Sequence, residues 1–410
     1  MNADATSRLR PRGSSQGGLR QYNERVVLQA VRLHGALPGA AIARLTHLTP
    51  QTVSLITKRL EADELLVRGD PQRGKVGQPS VPLSLNPDGA FAIGIKVGRR
   101  NMDVLLLDFT GAVRRRYTRD YRYPDPDLLL QEITARVADL RADLSATWQD
   151  RLQGIGIAAP LSLGGWQTLL DMPPEVAARW PGIDLASAVE TACGLPTELM
   201  KDTAAACVAE LVAGRGRSVR SFLYLFVDTF IGGGLVLDSQ LRAGLHGNAG
   251  AVGSMPLGVA RASGRRAAPR PPAQLLSVAS LVALEQRYRE HGLDEGAAAD
   301  HRALQAPWLP HTEAWADEAA HAMALAVNGA ACLLDLECVI LDGSFSRTLQ
   351  HSLQQALDRA LDDYDWQGVT RPQLLAGMIG SDARAIGGAL LPLHANFTPD
   401  RELFLKMAAE

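Results

Sequence analysis

Apolar positions near the start of the chain lay out a small helical unit. Val27, Ala30, Val31 and His34 recur at helical spacing, and Gly35 follows as a stop signal. Pro38 opens a second short helix that carries Ile42 and Leu45 inward, with Ala43 small enough to let a neighbouring helix cross closely. Thr49 is a good N-cap and Pro50 suits the first helical position, so a third helix begins there. Val53, Ile56 and Leu60 form its buried stripe, which leaves Gln51, Thr52, Leu55, Lys58 and Arg59 on other faces. Residues 65–67 and 81–85 then read as two short strands around a glycine-rich basic hairpin, Arg68 to Pro79. Residues 1–20, rich in Ser, Gly and Arg, predict a disordered arm, with order beginning near Tyr22.

From Ala90 the period changes from helical to alternating. Phe91 to Val97, Asp103 to Asp108 and Ala112 to Tyr117 predict three consecutive strands, followed by a long helix from Asp127 to Ala146 and a buried strand over Gly154 to Ala159. A strand over Pro196 to Met200 runs into a helix starting at Asp202. Phe222 to Val227 and Gly232 to Leu237 make another strand pair, and Cys338 to Gly343 is a buried strand after a helix. Strand meanders followed by alternating helix and strand, twice over, predict a duplicated α/β domain with a cleft between its lobes.

Composition narrows the class. A chain of 410 residues is too long for one ordinary core, so two or three domains are expected, and 46% hydrophobic residues suffice to fill them. No run approaches the roughly 18 apolar residues of a membrane helix, and the N-terminus lacks a signal-peptide core, so a cytoplasmic protein without membrane partners is expected. The four cysteines (Cys193, Cys207, Cys332, Cys338) match no zinc signature and read as buried free thiols.

Charge divides the chain. Residues 1–80 hold 12 Lys+Arg against 6 Asp+Glu, which leaves 30 against 38 for the rest. A basic head on an acidic body points to a polyanion partner for the head. Two short helices joined by a tight turn form the helix-turn-helix pattern, whose second helix enters the major groove of double-stranded DNA. Gln51 suits an adenine edge, and Leu55 or Thr52 a thymine methyl. The basic hairpin placed after that helix makes a wing that reaches phosphates or a minor groove. The expected DNA contacts are Thr49, Gln51, Thr52, Ser54, Leu55, Lys58, Arg59, Lys75 and Gln78. A helical hairpin need not bind DNA, and a glycine-rich loop serves equally as a linker, though the flanking strands weigh against that. One such head offers a small interface, so self-association as a dimer or tetramer on an inverted repeat is expected.

Several motifs then carry a resemblance. Gly154-Ile155-Gly156-Ile157-Ala158-Ala159-Pro160, Lys201-Asp202-Thr203-Ala204-Ala205-Ala206, Gly247-Asn248-Ala249-Gly250-Ala251-Val252-Gly253-Ser254 and Gly380-Ser381-Asp382-Ala383-Arg384-Ala385-Ile386-Gly387-Gly388-Ala389 together resemble the ROK family. That family groups bacterial sugar repressors with sugar kinases of actin-like fold. The resemblance implies an α/β chain: an N-terminal winged helix-turn-helix at 21–85, then a two-lobed actin-like (sugar-kinase-like) ROK domain at 90–410 for effector binding and dimerisation.

The departures from the family pattern select a branch. Family kinases open the body with Asp-x-Gly-Gly-Thr for ATP phosphates and magnesium; here stand Lys96-Val97-Gly98-Arg99-Arg100. The second phosphate loop, Gly-Thr-Gly-Ile-Gly in kinases, reads Asp228-Thr229-Phe230-Ile231-Gly232. The sugar-contacting Glu-x-Gly-His reads Ala251-Val252-Gly253-Ser254, and residues 259–273 are rich in Arg, Ala and Pro instead of the zinc-binding cysteines. No catalytic residue, metal or cofactor is therefore expected. Asp202 matches the family's proton-accepting aspartate, with Lys201 in place of the preceding Asn; the alternative is a plain helix N-cap. Lys201, Asp202 and Asn248 are the expected contacts of a small sugar-like effector, with an acidic or phosphorylated sugar suggested by the lysine. In the head, His47 stands where the turn usually has glycine, and Leu55 and Gln78 where the family often carries basic residues. Three readings follow. The first is a DNA-binding regulator of carbohydrate genes, a repressor before an activator, without kinase activity. The second is a regulator whose body binds a protein or only dimerises. The third is a DNA-tethered sugar kinase.

Overall fold

The computed structural model describes residues 16–71, 81–165, 167, 171–259 and 271–399. The head is built from α1 (Gln16–His34), α2 (Gly39–Thr46) and α3 (Pro50–Ala62), with a small antiparallel sheet. The sheet runs in the order β1 (Leu37–Pro38), β3 (Pro82–Leu85), β2 (Leu66–Arg68), with Leu37 opposite Leu83 and Leu66 opposite Leu85. Val27, Val31, Ile42, Val53, Ile56, Leu60 and Leu66 bury together as its core. Each such side chain contributes about 1.5–3 kcal/mol by leaving water.

Two local expectations need correcting, and a third holds with an addition. Helix α1 begins at Gln16, inside the stretch read as a disordered arm. Its glycines signal a loop, but Gly18 is buried and Arg20 pairs with Glu24 one turn on at 3.7 Å, which supports the extra turn. Leu45 is 40% exposed instead of inward. Ile42 and Ala43 define the buried side of α2, and at about 100° per residue Leu45 falls well round from their midpoint. Pro38 is the N-cap residue of α2 and also half of β1, a strand too short to leave any periodicity.

The body consists of two lobes with one topology. The first has β4 (Phe91–Val97), β5 (Asn101–Asp108), β6 (Val113–Asp120), β7 (Leu152–Ala159) and β8 (Thr197–Lys201), in the order β6-β5-β4-β7-β8. The second has β9 (Phe222–Val227), β10 (Gly232–Leu237), β11 (Gln240–Arg242), β12 (Cys338–Gly343) and β13 (Gln373–Ala376), in the order β11-β10-β9-β12-β13. In both, an antiparallel meander is extended by two parallel strands. Alternation explains the unbroken apolar runs. Phe91, Ile93 and Ile95 face one core with α4 (Pro126–Ala142), while Ala92 faces another with the chain's closing helix. On β9, Phe222, Tyr224 and Phe226 take one side, and Leu223, Leu225 and Val227 the other.

The remaining labelled helices are α5 (Leu185–Cys193), α6 (Asp202–Ala213), α7 (Leu281–Glu290), α8 (Leu309–Leu334), α9 (Arg347–Asp362) and α10 (Ala383–Phe397). The stretch expected as one helix to Ala146 ends at Ala142, and Ser145 caps a separate short turn by accepting from the Trp148 amide. Helix α10 crosses back over the first lobe so closely that a Cβ on Gly156 would lie 1.9 Å from the Gly388 carbonyl oxygen. Glycine on both sides is what permits this approach.

Candidate functional site

Helix α3 is held in place from both ends. At its start the Thr49 hydroxyl accepts from the Thr52 amide at 3.2 Å, and His47 turns the chain in the left-handed region at φ 55°. At its end Arg68 Nη2 donates to Glu61 Oε2 at 2.9 Å, which ties β2 to the helix. With Val53, Ile56 and Leu60 inward, Thr49, Gln51, Ser54, Leu55 and Lys58 are exposed and Thr52 and Arg59 half-buried. Leu55 is 54% exposed, a large apolar group presented to solvent beside polar neighbours. Arg59 Nη1 lies 3.6 Å from Glu24 Oε1 of α1, so part of its charge is spent within the head. Lys75 and Gln78 lie outside the described residues.

Between the lobes lies a charged floor. Lys96, buried on β4, donates to Asn101 Oδ1 at 2.6 Å and pairs with Asp103 at 3.2 Å. Burial pushes its ammonium pKa down, Arg384 adds to this, and Asp228 and Asp103 oppose it. Arg384, on α10 and only 3% exposed, ion-pairs with Asp228, donates to Ser344 Oγ at 3.1 Å and lies over the Phe226 ring. Burial alone would raise Asp228; Arg384 and Lys96 outweigh it and hold the carboxylate at about 2. Arg99 sits 4.6 Å over the buried Phe230 ring, and Arg100 pairs with Glu285 of α7. Burial lowers Arg99, against the attraction of Asp202 and Asp228. Arg384, Arg99 and Arg100 belong to the first lobe's side, and Asp228, Phe230 and Glu285 to the second lobe, so these pairs bind the lobes together across the cleft.

Asp202 is buried as the first residue of α6, with Lys201 as the N-cap. Its Oδ1 accepts from the Thr203 amide at 2.8 Å, so it orders the helix start without being the cap that the simpler alternative proposed. Lys201 is lowered by burial and raised by Asp202 beside it. Asn248 stands apart from this pair. It is exposed in the loop after β11, its carbonyl accepts from the Ala251 amide at 3.0 Å, and no hydrogen bond joins it to Asp202 or Lys201. The structure therefore brings Lys201 and Asp202 together but leaves Asn248 outside their hydrogen-bonding.

Arg384 is the residue that sequence reasoning passed over. Asp228 in a phosphate loop was a visible anomaly, and a half-buried carboxylate in this cleft calls for a cation; the arginine within the closing motif is the one that supplies it. The cysteines also need one correction, since Cys193, Cys207 and Cys338 are buried but Cys332 is exposed on the last turn of α8. Among the described residues no group of three or more His, Cys, Asp or Glu side chains is arranged to hold a metal ion. No helix among them is long and apolar enough to cross a membrane.

Relatives and solved structures place this architecture. The chain is 31% identical over 254 residues to the bifunctional enzyme NanE/NanK of Brucella melitensis, covering 60% of this chain and 45% of that protein. It is 25% identical over 235 residues to the xylose repressor of Caldicellulosiruptor bescii, covering 57% and 58%. The chain thus spans about half the length of the curated relatives it matches. A solved ROK family transcriptional regulator, a homologue of the Escherichia coli Mlc protein, superposes with a TM-score of 0.64 at 19% identity over 93% of this chain and 97% of its own, which shows a shared fold. The ROK family profile itself matches residues 92–395, three-quarters of the sequence, and the chain belongs to the ROK family.

Proposed function

We propose that the chain is a DNA-binding transcriptional regulator, a repressor of carbohydrate genes, which holds its operator with α3 and responds to a sugar or sugar derivative without phosphoryl transfer. In this reading residues 21–85 act as a winged helix-turn-helix, and 90–410 as an actin-like effector and dimerisation domain in a cytoplasmic protein. One observation carries it: α3 presents Gln51, Ser54, Leu55 and Lys58 to solvent from a helix capped at Thr49 and pinned at Glu61. An amide, a hydroxyl, an apolar tip and an ammonium on one exposed helical surface are the chemistry that reads base edges and phosphates. Selection of genomic fragments by the full chain is expected to enrich an inverted repeat, with affinity falling steeply as salt rises. Failure to enrich any motif at low salt sinks the reading.

The cleft supports a regulator over a kinase. The places where nucleotide phosphates and magnesium would lie hold the chain's own cations, carboxylates and a phenyl ring, already paired with one another. Lys201 and Asp202 remain as donor and acceptor for an effector's hydroxyls. The reading with a protein partner or dimerisation alone draws on one feature, the separation of Asn248 from that pair. Thermal-shift screening against a carbohydrate panel decides between them: stabilisation by a sugar that Asp202→Ala abolishes supports the effector site.

A further inference from the structure

The head does not hang from the body on a free linker. Val27, Leu28 and Val31 of α1 share a continuous apolar core with Phe109, Leu390 and Leu393 of the first lobe and α10. At this junction the Arg217 guanidinium donates to the Leu33 carbonyl at 2.6 Å, and Phe109 meets Phe397 edge to face. The packing is incomplete. A cavity of about 150 Å³ remains, lined by Leu33, Val212, Leu390 and Leu393 on its apolar side and by Arg32, Arg217, Gln29 and His394 among its polar residues.

Arg32 is the unusual member. One face of its guanidinium stacks 4.8 Å over the Phe109 ring, and among the described residues it forms no ion pair and no hydrogen bond. Asp108 attracts it but is already engaged. Asp108 Oδ1 accepts from the Thr110 amide, the Thr110 hydroxyl and the Ala112 amide, and Oδ2 accepts from Arg114 Nε at 2.7 Å. Burial pushes Arg32 down to about 10 against the pull of Asp108, as for a cation that lacks a close counter-ion. Arg217 spends one nitrogen on Leu33, leaving the rest of its planar fork beside the same cavity.

We propose that this cavity is a binding site for a small monocarboxylate with a compact apolar body, held by Arg32 and Arg217 at its charged end and by Leu33, Leu390 and Leu393 along its body. A space of this size admits a single aromatic ring. Two guanidinium groups suit a planar carboxylate. The apolar Leu33, Leu390 and Leu393 side and the nearby Asp108 favour a singly charged ligand over a phosphate dianion. Because α1 supplies one wall and α10 another, the ligand is complementary only to the docked head, so its binding favours that arrangement over any other.

The test is calorimetric titration of the full chain with benzoate, and with benzyl alcohol as the uncharged counterpart. Benzoate is expected to bind saturably, one per chain, and at least about tenfold more tightly than benzyl alcohol, the preference a charge-assisted bond supplies. Arg32→Gln and Arg217→Gln should each weaken benzoate by about tenfold without lowering the affinity for benzyl alcohol. Ala213 also lines the cavity, and Ala213→Met, which extends a longer side chain there while keeping both arginines, should abolish binding of both compounds; it decides the matter if an arginine variant fails to fold. Absence of saturable benzoate binding, equal affinity for the two compounds, or undiminished binding to Ala213→Met overturns the proposal.

Discussion

Asp228 shows how one residue type recasts a site. A carboxylate where kinases place a phosphate-binding glycine needs a cation, and Arg384 meets it from 156 positions away. Arg384→Ala leaves Asp228 poorly compensated and is expected to cost about 3 kcal/mol, the low end for breaking a buried pair because Asp228 is 20% exposed. Urea unfolding of the variant measures this, and a loss below about 1 kcal/mol would mean that water or Lys96 already compensates Asp228. The pH dependence has a definite sign. Asp228 is lower in the folded state than its ordinary 3.8, so its contribution is complete above that value and is lost as pH falls through about 2. Asp228→Asn should flatten the acid limb of the stability profile in that window and nowhere else. The sequence exposed half of this pair, because the anomaly at Asp228 is local. It hid the other half, because which arginine folds back onto Asp228 is set by the path of α10.

Elements with local signals were the most legible. Helix α3 was readable in its cap, its proline and its stripe, since each depends on residues within four positions. The facing of α2 was not, because α1 and α3 decide which side of so short a helix is buried, and Leu45 went outward. The long helix after β6 was overdrawn for a related reason: Ser145 offers a new cap where periodicity alone runs on. Two predictions belong here. Thr49→Ala should destabilise the head by about 1 kcal/mol through loss of the cap. Lys58→Ala should weaken binding to all duplexes and reduce the salt slope by about one, whereas Gln51→Ala should lose about 1–3 kcal/mol at one base position. Fluorescence anisotropy over a salt series separates the two, and equal effects of both on specific and random DNA would remove α3 from the groove. Helix α10 is constrained differently. A Cβ on Gly387 would lie 1.8 Å from the Ala205 carbonyl oxygen, so Gly387→Ala forces α6 and α10 apart. A loss of about 1–3 kcal/mol is expected in thermal or urea unfolding.

At the scale of the molecule, α10 joins the two regions that the proposed regulator would have to connect. Arg384 near its start lies in the interlobe floor, and His394 near its end lines the junction with the head. Ten residues of helix separate them, a span of about 15 Å. The two-lobed plan was legible because the strand pattern occurs twice; the docking of the head on α10 was not, because the residues concerned are far apart in sequence and individually ordinary. Arg384–Asp228 and Arg100–Glu285 hold the lobes together across the cleft. An effector that enters beside Asp202 must therefore change the balance of these pairs to be sensed. The effector is expected to shift operator affinity by about 5- to 150-fold, and by linkage the operator must shift effector affinity by the same factor. Arg100→Ala removes one interlobe pair, whose guanidinium is more exposed than that of Arg384, without altering α3, Lys201 or Asp202 themselves. It should leave operator binding of the effector-free protein nearly unchanged at saturating DNA while reducing the coupling factor by about half on the free-energy scale, if the two pairs share the load evenly. Titration of operator with and without effector, for parent and variant, gives the factor directly. An undiminished factor in Arg100→Ala would show that signal passes from cleft to head without the lobes moving against each other at that edge.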